Sequence, residues 1–329
     1  MVAGQSARDR FLHAMQVGKL VYRLTYSGES PQAVHRSKLP VLDSEGSHVA
    51  ISSGRGHSTD STILPNTTML PAEEYLDKCT GLVERIRTQA GTIRHVADRF
   101  TQTILAGRMV HLFGSGHSRI MVEEMWPRYG SFPGFNPMVE LSLSFHHTVV
   151  GSNGQRQAMF LENVSGLAER ILRNYALKQI DSALVISSSG CNVVPVEIAE
   201  AFQQRGIFVA AIVSQVHSDA STSKRSDGKK LGDFADVVLD TGAPVGDAMI
   251  KLDGLEQPVA PGSTIGGCLL VNCIKAEVAK RLIEAGHPPK TLAAGAVLGN
   301  EKAAEVFEAA YDEHAHRLAT LFADVGTNR

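Results

Sequence analysis

Two short stretches of the chain set small, hydroxyl-bearing residues between an apolar run and a helical pattern: Phe113-Gly-Ser-Gly-His-Ser118 and Ile186-Ser-Ser-Ser-Gly-Cys-Asn192. Small residues let a backbone approach a ligand closely. The helix that follows offers unpaired N–H groups and the positive end of its dipole. Hydroxyls of Ser118, Ser187, Ser188 and Ser189 add donors to phosphate oxygens without adding charge. One such serine is an ordinary helix cap; two clusters at equivalent junctions point to a shared anionic ligand. Rival phosphate motifs fail on inspection. GSGHSR lacks the third glycine of a dinucleotide fingerprint, and no GxxxxGK[ST] occurs.

Acids and bases capable of proton transfer lie close to the first turn. Glu123 and Glu124 are adjacent on the helix after it, about 100° apart, so at most one faces a ligand. Glu124 follows Ser118 by six residues, a rise of roughly 9 Å, a reach that a small phosphorylated ligand can span. His117 lies inside the turn, and His146 and His147 follow an expected strand; a histidine there can shuttle protons at neutral pH. Asp247 and Asp253 flank Met249 and Lys251 in a Gly-rich loop able to hydrogen-bond a hydroxylated ligand, and Ser263 and Thr264 open a long late helix able to close a pocket from another side. Lys224, Arg225, Lys229 and Lys230 form a basic loop able to guide an anion.

These residues are positioned by alternating strands and helices. A helical period runs from Met69, with Pro71 at its start and Tyr75, Leu76, Leu82, Val83, Ile86, Ile93, Val96 and Phe100 on the apolar side. Strands are expected at 109–114, 138–143, 183–190, 207–214 and 235–240, and helices at 118–126, 159–177, 193–206, 263–286 and 301–322. That alternation predicts a parallel sheet covered on both faces, an α/β three-layer sandwich. The stretch from Ser27 to Thr68 is rich in Ser, Gly, Pro, Thr and His without a sustained period, so residues 1–68 are expected to be a disordered extension, with one short element at 10–24 and the folded protein starting at Met69. Residues 69–290 form the main domain, and 291–329 a helical tail packed on it or on a partner subunit.

Composition narrows the class. A hydrophobic fraction of 43% supplies a sizeable core, and no apolar run approaches the ~20 residues of a membrane helix, so the chain reads as soluble. A net charge of −2 gives nucleic acid and anionic membranes no bulk attraction. Cys79, Cys191, Cys268 and Cys273 form no CxxC pair and no ligand cluster; reduced thiols in the cytoplasm, with no metal and no cofactor, are expected.

The GxGxS turn after the first strand and the [IV]SxSGxx turn after a later one resemble the SIS (sugar isomerase) domain of phosphosugar isomerases and binding proteins. The resemblance covers about residues 72–290 and is nearest to a poorly characterised group of sugar isomerase domain-containing proteins. With that group the chain shares GSGHS…EEM, FLE…GLAE, SSSGCNVVPVEIA and GDAMIKLDG…PGSTIGG. The resemblance implies a five-stranded parallel sheet of flavodoxin-like order and at least a homodimer. By motif position it implies phosphate contacts from Ser115, Ser118, Ser187, Ser188, Ser189 and Asn192. Heptose-phosphate isomerases of this fold carry a catalytic Glu in an acid pair whose second member matches Glu124; Glu162 resembles a Glu of the etherases that remove lactate from N-acetylmuramic acid phosphate. Heptose-type enzymes place a catalytic His on the late helix, where this chain has Leu270, Asn272 and Ile274. The reaction implied is aldose–ketose isomerisation of a phosphorylated sugar by a Glu base. The alternatives are a lyase or etherase acting on an amino-sugar phosphate and a non-catalytic phosphosugar sensor regulating a protein partner.

Overall fold

The computed structural model describes residues 69–145, 154–323 and 325, all within one unit spanning Asn66–Arg329. Residues 1–68, with the element expected at 10–24, and His146 and His147 lie outside the described residues. Two helices open the unit, α1 (Pro71–Arg87) and α2 (Ala90–Leu105). Ile93, Val96, Ala97, Phe100 and Ile104 of α2 recur at helical spacing and are all buried.

Then follow β1 (Val110–Gly114), α3 (Arg119–Met125) and β2 (Phe135–Met138). The crossover to β3 (Ser182–Ile186) carries α4 (Leu141–Ser144), α5 (Gln155–Leu161) and α6 (Leu167–Leu172). Next come α7 (Val193–Gln204), β4 (Phe208–Val213), α8 (Gln215–Ala220) and β5 (Val237–Asp240). A hairpin of β6 (Ala248–Ile250) and β7 (Val259–Pro261) leads into α9 (Ser263–Glu284), and α10 (Gly295–Leu298) and α11 (Asn300–Phe322) end the described chain.

The main sheet is parallel throughout, in the order β2-β1-β3-β4-β5. Its strands alternate between two cores, as a period of two requires. Leu112, Leu184, Ile186, Ala210 and Ile212 face α2, α3 and α9, whereas Phe113, Ala183, Val185, Val209 and Ala211 face α6 and α7. This is the three-layer αβα sandwich with flavodoxin-like order. No helix among the described residues is long and apolar enough to cross a membrane.

Two elements differ from the sequence pattern. The strand expected over 138–143 is instead β2 at Phe135–Met138, followed by the helical turn α4. Pro137 argues against a central strand, but among the described residues β2 is an edge strand paired only with β1, where a missing N–H is tolerated. The single helix expected over 159–177 is broken into α5 and α6. Gly166 takes a φ of 84°, and Glu197 of α7 accepts hydrogen bonds from Ser165 Oγ (2.5 Å) and Gly166 N (2.9 Å) across the break.

Candidate functional site

The chain leaves β1 for β2 on one side and returns to β3 on the other, so the carboxyl ends of β1 and β3 open the crevice where ligands of open α/β sheets bind. Gly114 and Ile186 are paired in register, so the two serine turns emerge side by side. In the first, Ser118 N donates to the Ser115 carbonyl at 3.0 Å, closing a tight 3-10 turn. Only glycine fits at its start, because a Cβ on Gly114 would stand 2.7 Å from the Ser118 carbonyl oxygen.

The second turn is tied down by its own hydroxyls. Ser187 Oγ accepts from Gly190 N (3.2 Å) and Ser189 Oγ from Cys191 N (3.3 Å). The Ser188 carbonyl accepts from Ser214 N (2.9 Å), whereas the Ser188 hydroxyl oxygen is buried with no hydrogen-bond partner among the described residues. A buried polar atom of that kind is costly unless something answers it.

Glu162 caps α5 and stands between the two turns. Ser115 Oγ donates to its Oε1, and Asn192 Nδ2 donates to its Oε2 at 2.7 Å. The backbone is fixed as well, with Val194 N of α7 donating to the Glu162 carbonyl at 2.9 Å. Burial pushes the Glu162 carboxyl above the ordinary carboxylate range; the hydrogen bonds from Ser115 and Asn192 and the charge of Lys224 oppose this without cancelling it. The result is a desolvated acid held by neutral donors from both turns, an environment suited to proton transfer.

The remaining expected residues are placed as follows. His117 is exposed on the first turn. Asn192 spends an amide hydrogen on Glu162. Glu124 lies on the flank of α3, lining a cavity of about 570 Å³ with Glu123, Arg128, Tyr129, Phe307 and Tyr311. Arg128 donates to its carboxylate, as does Asn272 Nδ2 of α9 at 2.9 Å. Burial raises the Glu124 carboxyl, but these two donors outweigh it and hold the group below its usual range. Asp247 caps α9, with Oδ1 accepting from Ser263 N (2.6 Å) and Gly262 N (3.1 Å) and Oδ2 from Ser263 Oγ (2.8 Å); Thr264 is half-buried in the same first turn. Asp253 is exposed.

Sequence reasoning missed the bonds that join Glu162 to Ser115 and Asn192, which are 47 and 30 residues distant and share no local pattern. It also missed Arg119, whose guanidinium braces the first turn through the carbonyls of Gly116 (3.3 Å) and Ser144 (2.9 Å). Among the described residues no group of His, Cys, Asp and Glu is arranged to hold a metal.

A parallel sheet with serine turns at its switch point is the arrangement of a sugar-isomerase-type domain, and the family model of the SIS domain matches residues 74–214. A UPF0309 protein of Listeria innocua is 30% identical over 248 residues, covering 75% of this chain and 97% of that protein. Another from Halalkalibacterium halodurans is 33% identical over 225 residues, 67% of this chain and 90% of its own length. The chain belongs to the SIS domain family, among the UPF0309 proteins. Of solved structures, a phosphoheptose isomerase from Francisella tularensis is similar at a TM-score of 0.40 and 14% identity, over 64% of this chain and 96% of that one. Likeness at that level says nothing about the reaction.

Proposed function

We propose that the protein is a phosphosugar isomerase that anchors its substrate's phosphate in the two serine turns and moves a proton with Glu162. The observation that carries this reading is the suspension of Glu162 between Ser115 and Asn192, one donor from each turn. A phosphate seated on Ser118, Ser187, Ser188 and Ser189 brings the sugar's reacting carbons toward that carboxylate. Glu162 takes the proton from the carbon next to the carbonyl, an enediol forms, and the proton returns to the neighbouring carbon. Aldose becomes ketose with no atom gained or lost. Because burial disfavours its charged form, Glu162 is a stronger base than an exposed carboxylate. His117 on the rim assists ring opening.

Glu124 is the weaker candidate for the base, because Arg128 and Asn272 stabilise its ionised form and engage both oxygens. The same reading takes the working protein to be a cytoplasmic homodimer or higher homo-oligomer. An apolar groove lined by Val83, Ile86, Ile93, Leu269 and Ala276 offers a surface to a second copy, and light scattering would measure the mass.

The test is a thermal-shift screen of the full chain against phosphorylated sugars and their unphosphorylated counterparts, followed by NMR of the products. Selective stabilisation by a phosphosugar, with conversion to one isomer, is expected. Two products instead of one would make the protein a lyase or etherase. Stabilisation without turnover would make it a sensor. If no phosphosugar stabilises the protein, the phosphate site itself is overturned.

A further inference from the structure

The basic loop after α8 contains four cations, and the structure gives three of them other work. Arg225 pairs with Glu200 and Asp227, each at 2.6 Å, and lies over the ring of Phe234. Lys229 faces Asp233 at 3.6 Å, and Lys230 gives its ammonium to the Ser218 carbonyl at 2.6 Å. Lys224 is different. Its side chain is exposed and makes no ion pair among the described residues, yet its backbone is docked on the second serine turn, where Lys224 N donates to the Cys191 carbonyl at 3.0 Å. Cys191 adjoins Asn192, which holds Glu162, and the Lys224 charge is felt at the Glu162 carboxylate. A fixed backbone with a flexible four-carbon stem lets the ammonium serve two positions.

We propose that Lys224 is the anion-recognition residue of this site, pairing with the substrate's phosphate once it occupies the serine turns and thereby withdrawing its charge from Glu162. The inference rests on the phosphosugar reading above and adds a residue and a coupling to it. In the free protein the ammonium favours ionised Glu162, which keeps the carboxylate ready to accept a proton. In the loaded protein the phosphate neutralises the ammonium, and Glu162 becomes more basic beside a sugar that needs deprotonating. Binding energy from the non-reacting end of the substrate is thus used at the reacting carbon, and an unphosphorylated sugar does not trigger it. The other charged or titratable groups on the elements around Glu162 include His117 and Arg119 from the first turn and α3, Glu140 at the start of α4, Arg156 of α5, Cys191 on the second turn, Glu197 of α7, which is engaged by Ser165 and Gly166, Glu200 of α7, which pairs with Arg225, and Lys230, which is engaged by Ser218.

The test compares the full-length protein with Lys224→Met, Lys224→Arg and Lys229→Met. The Glu162 side-chain carbon is titrated by NMR in carboxyl-labelled protein, its signal assigned by its loss in Glu162→Gln. Affinity is measured with inorganic phosphate as probe. Lys224→Met is expected to raise the Glu162 midpoint and weaken phosphate binding about tenfold, the value of one charge-assisted hydrogen bond. Lys224→Arg should retain most of the affinity, and Lys229→Met should change neither quantity. An unchanged midpoint or an unchanged phosphate affinity in Lys224→Met overturns the proposal. Failure of the wild-type protein to bind phosphate at all overturns the phosphosugar reading itself, while the ligand-free Glu162 midpoints still report whether Lys224 acts on that carboxylate.

Discussion

At the scale of single residues, the proposed role of Glu162 as base sets stability against activity. Its folded pKa is raised, so its contribution to stability is complete below the unfolded value of about 4.3 and is lost as pH rises through the folded value. Above that point the fold carries a buried charge it would be more stable without. Glu162→Gln removes the charge and keeps the geometry, since an amide oxygen still accepts from Asn192 and its NH2 can donate to Ser115. At neutral pH the variant should therefore melt at the same temperature or higher by calorimetry, while turnover falls about 10²- to 10⁴-fold. The acidic limb of wild-type kcat/KM should lie above the pH at which an exposed Glu protonates, and a limb at the ordinary value would remove Glu162 from the role of base. Ser188 makes a companion case. Its hydroxyl is buried without a partner among the described residues, so Ser188→Ala should leave the ligand-free protein as stable or slightly more so, yet weaken the proposed phosphosugar binding severalfold.

At the scale of elements, the glycines of the late helix are explained by packing. A Cβ on Gly266 would stand 2.2 Å from the Thr241 carbonyl oxygen, a backbone atom that cannot swing aside. Gly266→Ala should cost about 1–3 kcal/mol in urea denaturation despite alanine's better helix propensity. Gly81, midway along α1, has nothing among the described residues within 4 Å of its Cβ position, so Gly81→Ala should stabilise by about 0.5–1 kcal/mol. Equal signs for the two would show that propensity, not clearance, governs these sites. The same distinction explains what was legible in the sequence. Strands β1, β3 and β4 announce themselves as short apolar runs because both faces are buried, and the serine turns follow from their positions at strand ends. The edge strand β2 was hidden by Pro137, whose tolerance depends on having one neighbour rather than two. The break between α5 and α6 was hidden because Glu197, on another helix, holds its turn. The hairpin β6–β7 exists to carry Asp247 to the start of α9, 16 residues further on. Each of these depends on a distant partner that no local period encodes.

At the scale of the whole molecule, the end of the strands opposite the serine turns is held by a buried ionic network. Arg108, just before β1, donates to Asp181, just before β3, through Nε (2.7 Å) and Nη2 (2.8 Å). His111 Nε2 lies 3.2 Å from Asp181 Oδ2, and Asn136 of β2 lies 3.0 Å from His111 Nδ1. A ring whose Nε2 donates to Asp181 and whose Nδ1 accepts from Asn136 satisfies both contacts. The C-terminal helix α11 is fastened to the same place. Arg317 donates to the carbonyls of Ile104 and Arg108, both at 3.0 Å, and Ala176 N to the Leu321 carbonyl at 2.6 Å. Three strands and the last helix thus meet around one carboxylate. Burial raises the Asp181 carboxyl, but hydrogen bonds from Arg108 and His111 prevail and hold it below the usual range. With the folded value below the unfolded one, its stabilisation is present above about pH 3.9 and lost as pH falls through the lowered folded value. Arg108→Met strands the carboxylate and should cost about 3–5 kcal/mol by urea denaturation at neutral pH. Adding Asp181→Leu should return part of that loss, because an apolar pair needs no compensation, and should flatten the acid limb of the stability curve. Because the network sits at the far end of the strands, the double variant should match the wild type in the proposed phosphosugar binding whenever it is folded. A double variant less stable than Arg108→Met alone would mean that Asp181 serves the fold mainly through Lys178 N and His111 rather than through Arg108.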